Sequence, residues 1–502
     1  MALSFDQLLT PAAYPHPVAA LEKHETPLSL VILTGSYAYK IKKSVHLDYV
    51  DTTTLERRHH LCEEELRLNQ RLAAGLYLEV VPITREAAGL RVGGQGTPLE
   101  YAVKMRQFDR REELSALLER GEAYSAEIVE FADDLAEFHA RAATAFGADF
   151  HHTEQLCAAV RGNLATLMLY LDTPAALGEL GSLIDWTHDT LRDELPHFRA
   201  REAAGRVREC HGDLHARNIV RWRGRLTAFD CLEFSAPLRW IDTMSDVAFL
   251  FMDLAAHDRW DLAMEFMNAY LARTGDYGGV RQLCFYAAYR ALVRAMVDGI
   301  GREQRRAAAR IAVAAAFRHR PRPLLVLLHG PSGAGKSWLS ARLRAPLQAV
   351  HIRSDVERRR IARECEAPDL HGADFDARTY RRLRDCALDC LAGGFNTLLD
   401  AAFLRAADRR DCIELASRLG LRCVILACTA ERSVLEQRIT LRRQDGRDAS
   451  DADLAVLARQ LHTLEPLAAD EQALAVPVDS ADPGAIARVL AALQGPPPAQ
   501  RA

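Results

Sequence analysis

The sequence predicts two dissimilar halves: an α+β part, in which a small strand-rich lobe leads into a large helical lobe, and an α/β part built on a parallel sheet. Three observations predict this. β-branched and aromatic runs crowd the first hundred residues, and a helical apolar period dominates from about 108 to 315. Beyond "RHRPRP", residues 318–323, short apolar runs alternate regularly with helical segments. At 502 residues the chain is long enough for two or three core-bearing units.

The elements follow in order. Residues 28–49, "LSLVILTGSYAYKIKKSVHLDY", read as two strands about a tight Gly35-Ser36 turn. The run "TLERRHHLCEEELRLNQRL" reads as a helix, and "EYAVKMRQF", after the Gly-rich "VGGQGTP", as a further strand. The stretch "AEIVEFADDLAEFHARAATA" carries a 3.6-residue apolar period. A hairpin around Arg223-Gly224 is expected in "NIVRWRGRLTAFD", and helical pattern then returns through "YAAYRALVRAMVDGI". After the linker at 318–323, strands are expected at "PLLVLLH", "LQAVHIRSD", "FNTLLDAAF", "RCVILACT" and "ALAVPVDS". Continuous apolar strands with helices between them imply a parallel sheet covered on both faces. The expected domains are therefore 1–317 and 324–495, with a disordered tail at 496–502.

Composition narrows the function. The 49% apolar and 26% charged residues are those of an ordinary globular protein, and a net charge of −4 gives no support to a nucleic-acid or membrane partner. No apolar run is long enough to span a bilayer, and the first residues lack a secretory signal, so the expected location is cytoplasmic. The eleven cysteines include no C-x-x-C pair; Cys386 and Cys390, four apart on an expected helix, read as packing residues. Only six of the 64 basic residues are Lys, and four of those six lie in "YKIKK" and "GKS". Arg is a broad planar fork, whereas Lys is a compact point charge that can enter a phosphate cradle.

The segment "HGDLHARNIV", residues 211–220, has the spacing of a catalytic loop for phosphoryl transfer. Asp213 can accept the proton of an attacking hydroxyl, and Asn218, five residues on, can turn an amide oxygen onto nucleotide-bound magnesium. The following hairpin delivers Asp230 of "FDCLEF", a second hard oxygen ligand for the same ion. His211 reads as a structural, hydrogen-bonded histidine. In "YAYKIK", Lys40 occupies the position of a phosphate-binding lysine; Lys42 shares its strand face, so register alone separates them. Glu65 lies in the helical stripe Leu61–Glu65–Leu68–Leu72, where an inward carboxylate requires a cationic partner, and Lys40 is the expected one.

With "AFDCLEFS" and "WIDTMSDVAFL", this loop resembles the aminoglycoside phosphotransferase family, whose members have protein-kinase-like folds and phosphorylate small molecules. The resemblance spans about 25–315. It implies Asp213 as base, Asn218 and Asp230 as magnesium ligands, and Asp242 and Asp246 as residues that order the loop. The sequence departs from the kinase pattern in one respect: no G-x-G-x-x-G precedes Lys40, and only Gly35 is available.

A second phosphate site is written in "GPSGAGKS", residues 330–337, between an expected buried strand and a helix. Backbone N–H groups of Gly330, Ser332, Gly333, Ala334 and Gly335 can cradle phosphate, Lys336 can reach the β- and γ-phosphates, and Ser337 can ligate magnesium. Asp355 and Asp400 follow or end neighbouring strands, whose carboxyl ends line the ligand crevice of a parallel sheet. Asp355, with Arg358 beside it, is the candidate base or substrate anchor, and Asp400 the candidate for holding magnesium through water. Arg438, Arg442 and Arg443 precede a polar, Gly-containing stretch that reads either as a lid or as a solvated helix face; in the lid reading Arg442 contacts the nucleotide phosphates. Residues 322–495 resemble small P-loop kinases related to polynucleotide kinase and zeta toxin, and the whole chain resembles bacterial two-domain proteins that join both folds. In those proteins "YRALVRAK" is expected where this chain has "YRALVRAM", so Met296 stands in a Lys position.

The expected function is ATP- and Mg2+-dependent transfer of a γ-phosphoryl group to a hydroxyl of a small-molecule acceptor, at two nucleotide sites. One alternative keeps a single catalytic domain and makes the other a nucleotide-binding regulatory module. A second alternative is a kinase for nucleic-acid 5′-hydroxyls, which the acidic balance of the chain disfavours.

Overall fold

The computed structural model describes residues 5–47, 50–87, 89–145, 151–365, 373–445 and 453–494. These fall into two compact units, Met1–Gly162 with Asp193–Asp253, and Asn163–Arg192 with Leu254–Ala502. The expected tail, 496–502, lies outside the described residues.

The first unit begins with strands β1 (Glu22–Glu25), β2 (Ser29–Leu33) and β3 (Tyr37–Lys42), then helix α1 (Leu55–Ala73) and strands β4 (Tyr77–Glu86), β5 (Gly89–Val92) and β6 (Pro98–Arg106). They form one antiparallel sheet in the order β1-β2-β3-β6-β4-β5. The meander thus has three strands where the sequence suggests two. Strand β1, "EKHE", is exposed along its whole length, so it carries no apolar alternation to betray it. Period-two alternation sorts β3. Tyr39 and Ile41 join a core with Leu8, Ala13 and Tyr14 of the N-terminal segment, while Ala38 packs with Cys62 of α1 and Val103 of β6. Lys40 and Lys42 therefore project toward α1. That helix starts where the Thr54 side chain accepts the N–H of Arg57.

The helical lobe includes α2 (Ser125–Arg141), a short ladder of β7 (Val207–Glu209) with β10 (Trp240–Asp242), the hairpin β8 (Ile219–Trp222) and β9 (Arg225–Ala228), and α3 (Thr243–Ala256). The hairpin turns where expected, with Arg223 and Gly224 both at positive φ.

In the second unit, α4 (Trp260–Thr274), α5 (Val280–Ile300) and α6 (Gln304–Arg318) precede five alternating strand–helix steps. The strands are β11 (Leu324–His329), β12 (Ala349–Arg353), β13 (Asn396–Asp400), β14 (Arg422–Thr429) and β15 (Ala475–Asp479). All pair in parallel, in the order β12-β13-β11-β14-β15. Helix α7 (Lys336–Leu343) follows β11, and α8 (Ser354–Cys365) and α9 (Ala373–Ala392) follow β12. Helix α10 (Ala406–Arg418) follows β13, α11 (Arg432–Asp445) and α12 (Leu454–Thr463) follow β14, and α13 (Ala485–Gln494) closes the series. Every residue of β11 is buried, as befits the central strand of a sheet covered on both faces.

Division by packing differs from division by pattern. Residues 254–318 belong to the unit that holds the parallel sheet. On α4, Asn268 donates Nδ2 to Ala349 O at 3.0 Å and accepts His351 N–H at 2.7 Å, so its amide satisfies the outer edge of β12. Within the linker, Arg320 lies over the rings of Trp260 and Phe395 and donates to Gly394 O at 3.0 Å. This Pro-punctuated segment is pinned to its unit by a stacked guanidinium.

Candidate functional sites

In the first unit, five charged side chains from three segments meet beneath the sheet. Glu65 is fully buried. Its two oxygens take two lysines: Lys40 Nζ at 2.8 Å and Lys42 Nζ at 2.5 Å. Lys40 also reaches Asp230 at 2.5 Å, and Lys42 pairs with Glu233. The expected Lys40–Glu65 pair is thus present, but Lys42 shares it. Burial alone would push both ammonium groups down; the facing carboxylates, Asp230 foremost for Lys40 and Glu233 foremost for Lys42, outweigh it and hold both charged. For Asp230, burial pushes up and Lys40 more than compensates, leaving the carboxyl below its ordinary value. Asp230 sits at positive φ just after β9. Its N–H donates to Tyr77 Oη at 3.1 Å, and the next N–H, of Cys231, donates to Asn69 Oδ1 at 2.9 Å.

The loop 211–218 is held by carboxylates of α3. Asp246 accepts the N–H of His211 at 3.0 Å and of Gly212 at 2.9 Å, and Asp253 accepts that of Ala216 at 2.9 Å. Gly212 is at φ +86°, and a Cβ there would lie 2.9 Å from Leu238 O, so no other residue fits this turn. Asn218 donates Nδ2 to both Asp213 O and Asp213 Oδ2 at 3.0 Å. Its Oδ1 accepts no hydrogen bond among the described residues and is the kind of oxygen that suits a hard cation. His215 accepts Arg217 N–H through Nδ1, which places its proton on Nε2, 3.4 Å from Asp213 Oδ2. His211 is structural as expected: Nδ1 accepts Asp213 N–H, Nε2 donates to Phe229 O at 2.9 Å, and burial keeps the ring neutral.

The expectation that Asp242 orders this loop is corrected. Its carboxylate forms a two-point pair with Arg201 at 2.6 and 2.7 Å and accepts Met244 N–H. Asp246 and Asp253 do the ordering, because α3 presents them at a two-turn spacing along one face. His139, Cys210 and Asp246 bring possible metal-ligating atoms within 4.8 Å of one another, yet the Asp246 oxygens already serve backbone N–H groups. Glu233, Asn69, Tyr77 and Asp253 were not expected, and Lys42 was expected only as the alternative to Lys40 in the strand register. Only Glu233, three residues past Asp230, and Lys42, two past Lys40, carried any signal in the sequence.

In the second unit the expected loop runs from β11 into α7. Gly330 is at φ +137°, and a Cβ there would lie 2.3 Å from Cys428 O. Lys336 Nζ donates to Gly330 O at 2.8 Å and Pro331 O at 2.9 Å, so the ammonium lies over the first half of the loop. Ala334 gives its N–H to Pro331 O at 3.2 Å and closes the loop from within. Register places Asp400 beside Leu328 and Arg353, at the carboxyl end of the sheet. Asp400 Oδ2 accepts His351 Nε2 at 3.1 Å and Ser340 Oγ at 3.4 Å. Burial pushes this carboxyl up, but His351, Lys336 and the Ser337 hydroxyl prevail and hold it at about 2. A carboxylate and a serine hydroxyl side by side suit a small, hard cation.

Asp355 lies in the first turn of α8, two residues beyond β12. Arg358 pairs with Asp376 of α9 at 2.5 Å. Arg438 donates to Gly333 O at 3.1 Å and Ser480 Oγ at 2.8 Å, so it braces the loop rather than a lid. Arg442 and Arg443 are carried on α11, but their side chains, and the polar stretch 446–452, lie outside the described residues. Two contacts had no signal in the sequence: His351 on Asp400, and Gln460 of α12, whose Oε1 accepts Ser332 N–H at 2.8 Å.

Residues 325–467 match the AAA_33 family, described as an AAA domain. An uncharacterised protein of Mycobacterium tuberculosis strain H37Rv is 31% identical over 475 residues, covering 88% of this chain and 91% of its own. A Mycobacterium bovis counterpart matches with the same identity and coverage. Among solved structures, a choline/ethanolamine kinase family protein from Mesorhizobium loti is 17% identical over 62% of this chain and 90% of its own, with a TM-score of 0.38. A gluconokinase from Sinorhizobium meliloti 1021 is 23% identical over 35% of this chain and 93% of its own, with a TM-score of 0.26.

Proposed function

The chain belongs to the family of these mycobacterial proteins, whose match runs through both halves, and from that premise we propose an ATP-dependent phosphotransferase with two nucleotide–magnesium sites. The observation that carries this reading is the second-unit loop. A buried central strand runs through a left-handed glycine turn into a helix, with Lys336, Ser337 and Asp400 gathered at one end of the sheet. There Lys336 would neutralise the β- and γ-phosphates, Ser337 and Asp400 would hold magnesium, and Asp355 would face the acceptor hydroxyl. Arg442 would serve the transferring group.

In the first unit, Lys40 would bind phosphate, Glu65 would fix Lys40, Asn218 and Asp230 would hold magnesium, and Asp213 would take the acceptor proton. Catalysis at either site rests on positioning and charge neutralisation, with no covalent step on the protein. The acceptors are small hydroxyl compounds rather than nucleic acid, in keeping with the acidic balance of the chain.

A second reading, in which the first unit binds nucleotide and regulates, is favoured by one observation. The β1–β2 turn, Thr26-Pro27-Leu28, contains no glycine and is closed by Thr26 N–H on Ser29 O, so it offers no phosphate cradle. Full-length protein with magnesium and γ-labelled ATP, incubated with fractionated metabolites, separates the readings. Two active sites predict that Asp213→Ala and Lys336→Ala each abolish labelling of different acceptors, Asp213→Ala by roughly 10²–10⁴-fold. Loss of all labelling in Lys336→Ala alone supports the regulatory reading. Calorimetry that finds no ATP uptake by the intact chain overturns both.

A further inference from the structure

The loop contact of Gln460 is not used by any role assigned above. Its position is built rather than incidental. Helix α12 is capped by Asp453, whose carboxylate accepts Val456 N–H at 2.8 Å, and is anchored by Leu457, which is 1% exposed in the core beneath the sheet, and by Leu461 beside it. Leu457 and Leu461 flank Gln460 at i−3 and i+1, so their burial fixes where its side chain emerges. The amide oxygen takes Ser332 N–H at 2.8 Å, while Nε2 has no hydrogen-bond partner among the described residues.

The end of the loop concerned is identified by Lys336. Its ammonium rests on Gly330 O and Pro331 O, immediately beside Ser332. A lysine in this position serves the β- and γ-phosphates. The Ser332 N–H therefore lies toward the terminal-phosphate end of the cradle, away from the helix start at Lys336 and Ser337, and Gln460 stands there with one acceptor and one spare donor.

We propose that Gln460 reads the terminal phosphate of the nucleotide, and thereby distinguishes a triphosphate from a diphosphate at the second site. This rests on the nucleotide-site reading of the loop. Without a terminal phosphate, Gln460 Oε1 satisfies Ser332 N–H. When a γ-phosphate oxygen takes that N–H, the amide turns and Nε2 donates to the same phosphate. The exchange leaves no buried donor unpaired in either state, which is why an uncharged side chain with both functions suits the place.

Titration calorimetry on the full-length protein tests this, with magnesium and either ADP or a non-hydrolysable ATP analogue. Binding abolished by Lys336→Ala defines the second site. Gln460→Glu retains an acceptor for Ser332 N–H but sets a negative charge against the phosphate. It is expected to bind ADP within about twofold of the parent and the analogue about tenfold or more weakly. Gln460→Leu removes both functions without adding charge and is expected to weaken the analogue alone, by a few fold. Equal weakening of both nucleotides, or an unchanged ratio in both variants, overturns the proposal and assigns Gln460 to loop packing. A parent protein with no Lys336-dependent binding of either nucleotide overturns the site itself, a result distinct from the others.

Discussion

Glu65 shows how much a single residue can organise. It is the shared counter-ion of two lysines whose other partners, Asp230 and Glu233, lie some 165 residues further along the chain. Removing one member of a buried charge cluster leaves the others unpaired, so Glu65→Ala is expected to destabilise the first unit by about 3–5 kcal/mol, read from urea unfolding by circular dichroism. Acid should loosen the same unit through two other groups. Burial opposes the Asp246 charge, but His139 and the loop N–H groups outweigh it, so its folded pKa lies below the unfolded one. Its contribution is therefore present above about pH 4 and lost as pH falls through the folded value. His211 is held neutral by burial, so protonation of the unfolded chain already costs stability below about pH 6.5. The unfolding midpoint should fall from near pH 6.5 downward, and the gap between the parent and Asp246→Asn should close below about pH 4. A midpoint flat from pH 7 to 3 would contradict this. The spacing of Asp213, Asn218 and Asp230 was legible because loop chemistry is local. The Lys42–Glu233 pair was not, since nothing in a strand or a loop announces what it will face.

At the scale of elements, the parallel sheet was legible strand by strand, because buried strands are continuous apolar runs. Strand β1 was not, being exposed and charged, and recognisable only by its pairing with β2. The edge of β12 depends on Asn268, whose amide takes the place of a neighbouring strand's backbone at Ala349 and His351. Asn268→Ala leaves one N–H and one C=O without that partner and is expected to cost about 1–3 kcal/mol. Hydrogen exchange checks this directly: the His351 amide should lose protection, while amides of the central strand β11 keep theirs. Because His351 holds Asp400, the same substitution should also weaken magnesium-dependent nucleotide binding.

For the whole molecule, the break in composition at 318–323 marks where alternation begins, but not where packing divides. Helices α4 to α6 sit in the unit of the parallel sheet, with Asn268 on the edge strand, Cys284 Sγ against Gly393 O at 3.5 Å, and Arg320 stacked on Trp260 and Phe395. A fragment that starts at residue 322 loses all three contacts. It is expected to unfold at lower temperature and to be cut faster by protease than the same residues in the full chain. Equal protease resistance would show that the sheet stands without these helices.

By itself the sequence determined the type and order of most elements and singled out the loops at 211–218 and 330–337, because periodicity, turn chemistry and motif spacing act over a few residues. Only the tertiary structure decided which lysine meets which carboxylate, which aspartates of α3 hold the loop 211–218, and that Asn268 meets His351, His351 meets Asp400 and Gln460 meets Ser332. Those outcomes depend on the approach of segments far apart in the chain, and a side chain's partner across such a distance is set by packing rather than by its neighbours in sequence.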